Sequence, residues 1–167
     1  MSATYIHPLA DIHPDAVIGE GVRIYAGTRV GSTARIGKGT TIGRNCAIDG
    51  IIGNYCKIQE QALIYHGVTI GHWVFIGPAV RTTNDIRPNA YTNDWQDRFR
   101  ETYIETGASI GAGSIIICGN TIGEYAEVGA GSLVTHDVKP RWLAYGSPAH
   151  HVRPIPTEAK ATLKVEP

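Results

Sequence analysis

The stretch from 108 to 134 reads ASIGAGSIIICGNTIGEYAEVGAGSLV, and its spacing decides the fold. Ile110, Ile116, Ile122, Val128 and Val134 recur every six residues. Gly follows at 111, 123 and 129, and a mostly small residue stands two before each: Ala108, Ser114, Asn120, Ala126 and Ser132. A period of six is neither the 3.6 of a helix nor the alternation of two of a half-buried strand. Hexapeptide self-similarity signifies a parallel β-helix.

The same series starts at Ile6 and runs through Ile12, Ile18, Ile24, Val30, Ile36 and Ile42 to Ile48. A phase slip follows: Ile48 to Ile52 is only four residues, which predicts a shortened corner at Asp49-Gly50. The series resumes through Ile58, Ile64, Ile70, Ile76 and Thr82, breaks, and restarts at Ile104. Each hexad supplies a short flat strand and a corner, and three hexads make one coil. Ile or Val fills the axis, the small residue points inward, and a corner Gly relieves strain by lacking a Cβ. About seven coils follow, each advancing ~4.8 Å as parallel strands pair with the coil above. An antiparallel sandwich with regular turns is the competing architecture, but sandwiches do not keep a fixed six. The expected division is a solenoid over 1–138 and a C-terminal extension over 139–167, with Thr157 capping a short terminal helix.

Between about 83 and 103 the period is replaced by a polar loop, with Asp85, Arg87, Asp94, Asp97, Arg98 and Arg100 in a short span. A loop this long on a compact solenoid is usually functional or disordered. Trp95, Phe99 and Tyr103 argue against disorder, because such rings need something to pack on.

Acidic and basic side chains number 15 each, so formal net charge is zero. That weighs against nucleic acid as a partner, which needs clustered Lys and Arg. The opening MSATYIHPLADIHPD lacks a basic segment followed by an apolar run, and the apolar run from Ile115 to Cys118 is too short to cross a bilayer. The expectation is a cytoplasmic protein without membrane association, its three Cys reduced. No CxxC pair stands in the chain, so a structural zinc site is not expected.

The stretches KIQEQALIYHGVTI (57–70), VFIGPAVRTTNDIRP (74–88), 107–138 and GSPAHHV (146–152) resemble the hexapeptide-repeat acyltransferases. The nearest likeness is to nucleotide-linked amino-sugar N-acetyltransferases acting on a 3-amino group. The resemblance implies an all-β, left-handed parallel β-helix, a homotrimer with active sites between subunits, acetyl-CoA as co-substrate, no metal, and a role in surface glycan synthesis. It implies a CoA wall of small residues at Gly111, Ala112, Gly129 and Ala130, although corners needing Gly account for them equally well. The turn after the last coil, with Ser147 and Pro148, matches the adenine end of CoA, and Arg141 and Arg153 are candidates for its phosphates.

For chemistry, an amine must lose a proton and attack a thioester, so a base and a donor to the developing oxyanion are sought. Asn84, in the matching TND, heads the long loop. His66 stands where the resembled family usually has an acidic residue; it is either a general base or a neutral substitution. Gln59 and Tyr65 are candidate sugar contacts. Asp85 and Arg87 either bind the nucleotide or fix the loop, and Arg87 suits a diphosphate. Two other classes stay open. One is a γ-class carbonic anhydrase on the same fold, for which His66 and His72 fall at equivalent points on adjacent faces and no third ligand is evident. The other is a non-catalytic scaffold, which the long loop and the GSPA turn oppose.

Overall fold

Two-residue strands ending in the axial Ile or Val alternate with corners along nearly the whole chain, and pairing partners lie eighteen apart, as in Ile6 with Ile24 and Ile24 with Ile42. A computed structural model describes residues 3–157. Three parallel sheets of nine, seven and six strands form the faces of a prism. The first face runs from Tyr5–Ile6 to Trp142–Gly146, with Ala149–Pro154 added antiparallel; the second runs from Asp11–Ile12 to Leu133–Val134; the third runs from Val17–Ile18 to Thr121–Ile122. A bridge from Ile122 to Val138 completes the seventh coil, and Trp142–Gly146 opens an eighth. The all-β, left-handed parallel β-helix is therefore the architecture.

The axis is dry. Ile24, Ile42, Ile58, Ile76 and Ile110 stack at 0% exposure up the first face, and the second and third faces match them. Burial of that column and coil-to-coil hydrogen bonding supply what one coil alone lacks. The inward small residues do more than save space. Thr28 Oγ1 donates to Gly43 O at 2.7 Å and accepts from Cys46 N at 3.1 Å. Thr40 repeats the pattern with Gly53 O and Cys56 N, and Ser114 with Gly129 O and Ser132 N. Each hydroxyl satisfies corner backbone that the strand ladder leaves unpaired. Thr102 is the exception, its buried Oγ1 having no partner among the described residues.

The glycine after the axial residue has a different cause from the one expected. At Gly111 an added Cβ would lie 2.4 Å from the Ala130 nitrogen of the next coil, so the constraint there is close backbone approach. The left-handed conformation falls two residues later, at Gly113 with φ +70°. Where the third face turns into the first, the same position holds Tyr55 and Trp73, whose rings stack at 4.3 Å.

The shortened corner is where the sequence puts it. Ile36 pairs with Ile52, sixteen rather than eighteen apart, with Asp49 and Gly50 alone between the second and third faces. The C-terminal extension continues the solenoid: Trp142–Gly146 pairs with Glu127–Val128, and the GSPA turn leads back along Ala149–Pro154. The short helix expected after Thr157 lies outside the described residues. No helix among the described residues is long and apolar enough to cross a membrane.

Three outcomes follow from this packing. Ile58→Ala, in the closed middle of the axis, is expected to lower unfolding free energy by about 2–5 kcal/mol in urea titration. Ile6→Ala, at a residue of the first coil that is itself 41% exposed, should cost roughly 0.5 kcal/mol or less. Thr102→Val, which removes the unpartnered hydroxyl at constant shape, is expected to be neutral or stabilising by about 1 kcal/mol.

Candidate functional site

The edge between the second and third faces carries both interruptions of the period. Three corners stack there: Gly31 to Thr33, the short Asp49-Gly50, and Tyr65 to Gly67. The long loop leaves the next coil at Thr83 and returns into Thr102–Ile104. The candidates His66 and Asn84 thus meet at the loop base, the Asn84 amide Nδ2 donating to His66 O at 3.3 Å. Asn84 is half-buried and His66 exposed.

Loop residues close over this corner. The His66 imidazole lies 5.5 Å from the Phe99 ring at an interplanar angle of 33°, and Trp95 meets Phe99 edge-on at 5.9 Å. Gly67, with φ +86°, leaves room for that ring: an added Cβ would sit 2.2 Å from Phe99 Cζ. The loop is ordered by its own charges. Asp85 accepts from Arg98 Nε at 3.1 Å and from Arg87 N at 2.8 Å, and Arg98 Nη1 reaches Asp94 at 2.7 Å. Hydrogen bonds from Thr92 and Arg98 hold the Asp94 carboxyl below its ordinary pKa, and Arg98 is raised in return by Asp94 and Asp85. A bridge between Asp85 and Phe99 ties the two ends of the loop. Of the two roles open to Asp85, fixing the loop is the one its contacts serve. Arg87 lines a recess of about 470 Å³ with Ile86, Asp94, Asp97, Arg98 and Arg100.

The remaining candidates occupy other edges. Gln59, Gly111, Ala112, Gly129 and Ala130 lie on the edge between the first and second faces. Gly111 packs against Ala130, and Gly129 packs under Tyr145, which places the turn with Ser147 and Pro148 at the top of that column. Arg153 pairs beside Leu143 on the added strand. Arg141 stands on the third edge, its guanidinium 4.6 Å above the Tyr125 ring. Tyr65, 41% exposed, adjoins His66. The wall of small residues and the loop base are therefore separated by the width of the second face, at most ~20 Å for six residues. Its outward stripe includes Leu63, Ile115 and Leu133.

Sequence reasoning missed three side chains beside His66. Asp49, Phe99 and Glu101 line a recess of about 160 Å³ with Thr33, Gly50, Ile51, His66, Gly67, Val68 and Thr69. The four-residue step from Ile48 to Ile52 was the signal, since a short corner leaves a notch beneath the corner above. Among the described residues no three His, Cys, Asp or Glu come together to hold a metal ion. Burial pushes the Cys46 and Cys56 thiols above their ordinary pKa, and both point inward.

Set beside known proteins, the chain matches no family model. A segment of 53 residues, 32% of the chain, is 58% identical to 28% of the dTDP-3-amino-3,6-dideoxy-alpha-D-galactopyranose 3-N-acetyltransferase of Aneurinibacillus thermoaerophilus. PerB from Caulobacter crescentus, solved with CoA and GDP-perosamine, is 26% identical at a TM-score of 0.60, over 91% of this chain and 58% of that one. AntD, an N-acyltransferase from Bacillus cereus solved with dTDP and coenzyme A, superposes at a TM-score of 0.64 over 95% of this chain and 86% of that one. Its 20% identity makes this a likeness of fold. The chain spans about half or less of the curated relatives it matches. The hexapeptide coil and the long loop at one corner make the chain similar to these hexapeptide-repeat acyltransferases.

Proposed function

We propose that the protein transfers acetyl from acetyl-CoA to the 3-amino group of a nucleotide-linked (dTDP or UDP) amino-deoxysugar. The observation that carries this reading is the juxtaposition of Asn84 and His66 at the base of an ordered loop, beside a recess. The strong local identity to an enzyme named for that reaction supports it, as does the likeness to PerB, solved with CoA and GDP-perosamine.

In this reading the amine lone pair attacks the thioester carbonyl, the C–N bond forms, the C–S bond breaks, and CoA leaves as thiolate. His66, neutral, takes the proton the nitrogen sheds and returns it to sulfur. Asn84 has one amide hydrogen committed to His66 O; its second N–H is free to hold the developing oxyanion. Gly111, Ala112, Gly129 and Ala130 offer backbone close to solvent for the pantetheine arm, with Ser147, Pro148 and Arg153 toward the adenine end. Arg141 serves that end only by leaving Tyr125. Arg87, with no ion pair of its own in the loop, suits the sugar's diphosphate, while Gln59 and Tyr65 stand as hydroxyl contacts. Because wall and loop base lie on different edges, a homotrimer in which one copy's wall faces its neighbour's loop base completes the site. The outward row of Leu63, Arg81, Ile115 and Leu133, apolar but for Arg81, is the surface that contact would cover.

Thiol release from acetyl-CoA, measured with a panel of dTDP- and UDP-linked 3-amino sugars, tests the reading. Turnover with at least one of them is expected; no release with any amine would overturn it. Asn84→Ala is expected to lower kcat by about 100-fold or more. His66→Ala should lower kcat by about 100-fold, the loss expected for a general base. An unchanged kcat in that variant would assign the histidine to packing against Phe99.

A further inference from the structure

We propose that the notch left by the short Asp49-Gly50 corner is the subsite for the amino-sugar ring, with Asp49 and Glu101 as its specificity-determining contacts. This rests on the acetyl-transfer reading above and assigns the part of the acceptor that the reading leaves unplaced.

The notch exists because one coil is two residues short. The corner at Gly31 to Thr33 below and the corner at Tyr65 to Gly67 above both extend further than Asp49-Gly50 does, and the returning loop roofs the gap with Phe99 and Glu101. The resulting space is about 160 Å³. A cavity of about 150 Å³ holds one benzene-sized ring, so the space suits one six-membered ring and excludes a whole nucleotide sugar. The nucleotide then extends outward.

Its lining is mixed. Ile51 and Phe99 are apolar, whereas Thr33, Asp49, Thr69 and Glu101 carry hydroxyl or carboxylate groups, with His66 beside them. A deoxysugar has the same division: a methyl-bearing apolar face that packs on an aromatic ring, and an edge of hydroxyls and an amine. The Asp49 carboxylate makes no hydrogen bond or ion pair with the described residues, although its backbone is fully engaged, its N–H with Ile64 O and its carbonyl with Thr33 Oγ1. A half-buried carboxylate without a partner is poorly explained by stability. Glu101 keeps one oxygen on the Tyr103 hydroxyl, a hydrogen bond that raises the phenol above its ordinary pKa, and has the other oxygen for a ligand. The two carboxylates supply acceptors for the hydroxyls and the amine hydrogens of the acceptor, which attacks as the free amine with His66 at the rim to take the one proton its nitrogen sheds.

Steady-state kinetics on the full chain separates this proposal from the one it rests on. With a nucleotide-linked amino sugar that the wild type turns over, Asp49→Asn and Glu101→Gln are each expected to raise the acceptor KM about tenfold or more. The acetyl-CoA KM and the thermal unfolding midpoint should stay unchanged. Insertion of two residues between Asp49 and Gly50, restoring a full hexad, is expected to abolish acceptor turnover while CoA binding by calorimetry persists. Wild-type turnover with unchanged acceptor KM in both point variants would overturn the subsite and leave the function standing. Absence of turnover in the wild type with every amine would overturn both. If the insertion fails to fold, Phe99→Ala, expected to raise the acceptor KM at constant acetyl-CoA KM, decides in its place.

Discussion

Every coil is hydrogen-bonded to the next in fixed register, and that ladder is the constraint on which the rest of the molecule depends. Bonds such as Gly77 N to Ile110 O and Gly111 N to Val128 O place each corner directly over its equivalent. The consequence is columns: axial Ile over axial Ile, small over small, glycine under the neighbouring backbone. A side chain in such a column has little freedom, since altering it disturbs two neighbours as well as itself. Function on this scaffold therefore concentrates where the ladder permits a change of length.

It permits that at the edge between the second and third faces. Two residues are removed at Asp49-Gly50, and the long loop is inserted two coils above, with the Tyr65 to Gly67 corner between them. Deletion makes a notch, insertion makes a roof, and the intervening corner presents His66 to both. The loop is no flexible appendage. Arg98 clamps Asp85 and Asp94, and Phe99 seats over Gly67. By contrast, the wall of Gly111, Ala112, Gly129 and Ala130 departs from the period nowhere, which suits a surface for an extended amide-rich chain.

Much of this was legible in the residues. The period of six gives strand positions, axial residues and both interruptions, because axial burial leaves a strong apolar signal at fixed spacing. The hydroxyl ladder of Thr28, Thr40 and Ser114 was hidden, since small size explains those positions without hydrogen bonding. The corner glycines were visible but their cause was misread: Gly111 answers to a neighbouring coil eighteen residues away, which no local rule reports. At the site, His66 and Asn84 stood out as single residues, whereas their contact depends on one coil stacking on another. Asp49 and Glu101 were invisible as a pair, because only the folded loop brings 101 back over 49.

The central claim is spatial: acceptor at the interrupted edge, CoA along the uninterrupted one. A crystal structure with CoA and a nucleotide-linked 3-amino sugar bound tests it most directly. The pantetheine arm is expected against Gly111 and Gly129, and the sugar ring between Asp49 and Phe99 with its nitrogen toward His66. A sugar ring seated away from the Asp49 notch, or CoA lying along the edge that carries Tyr55 and Trp73, would contradict it.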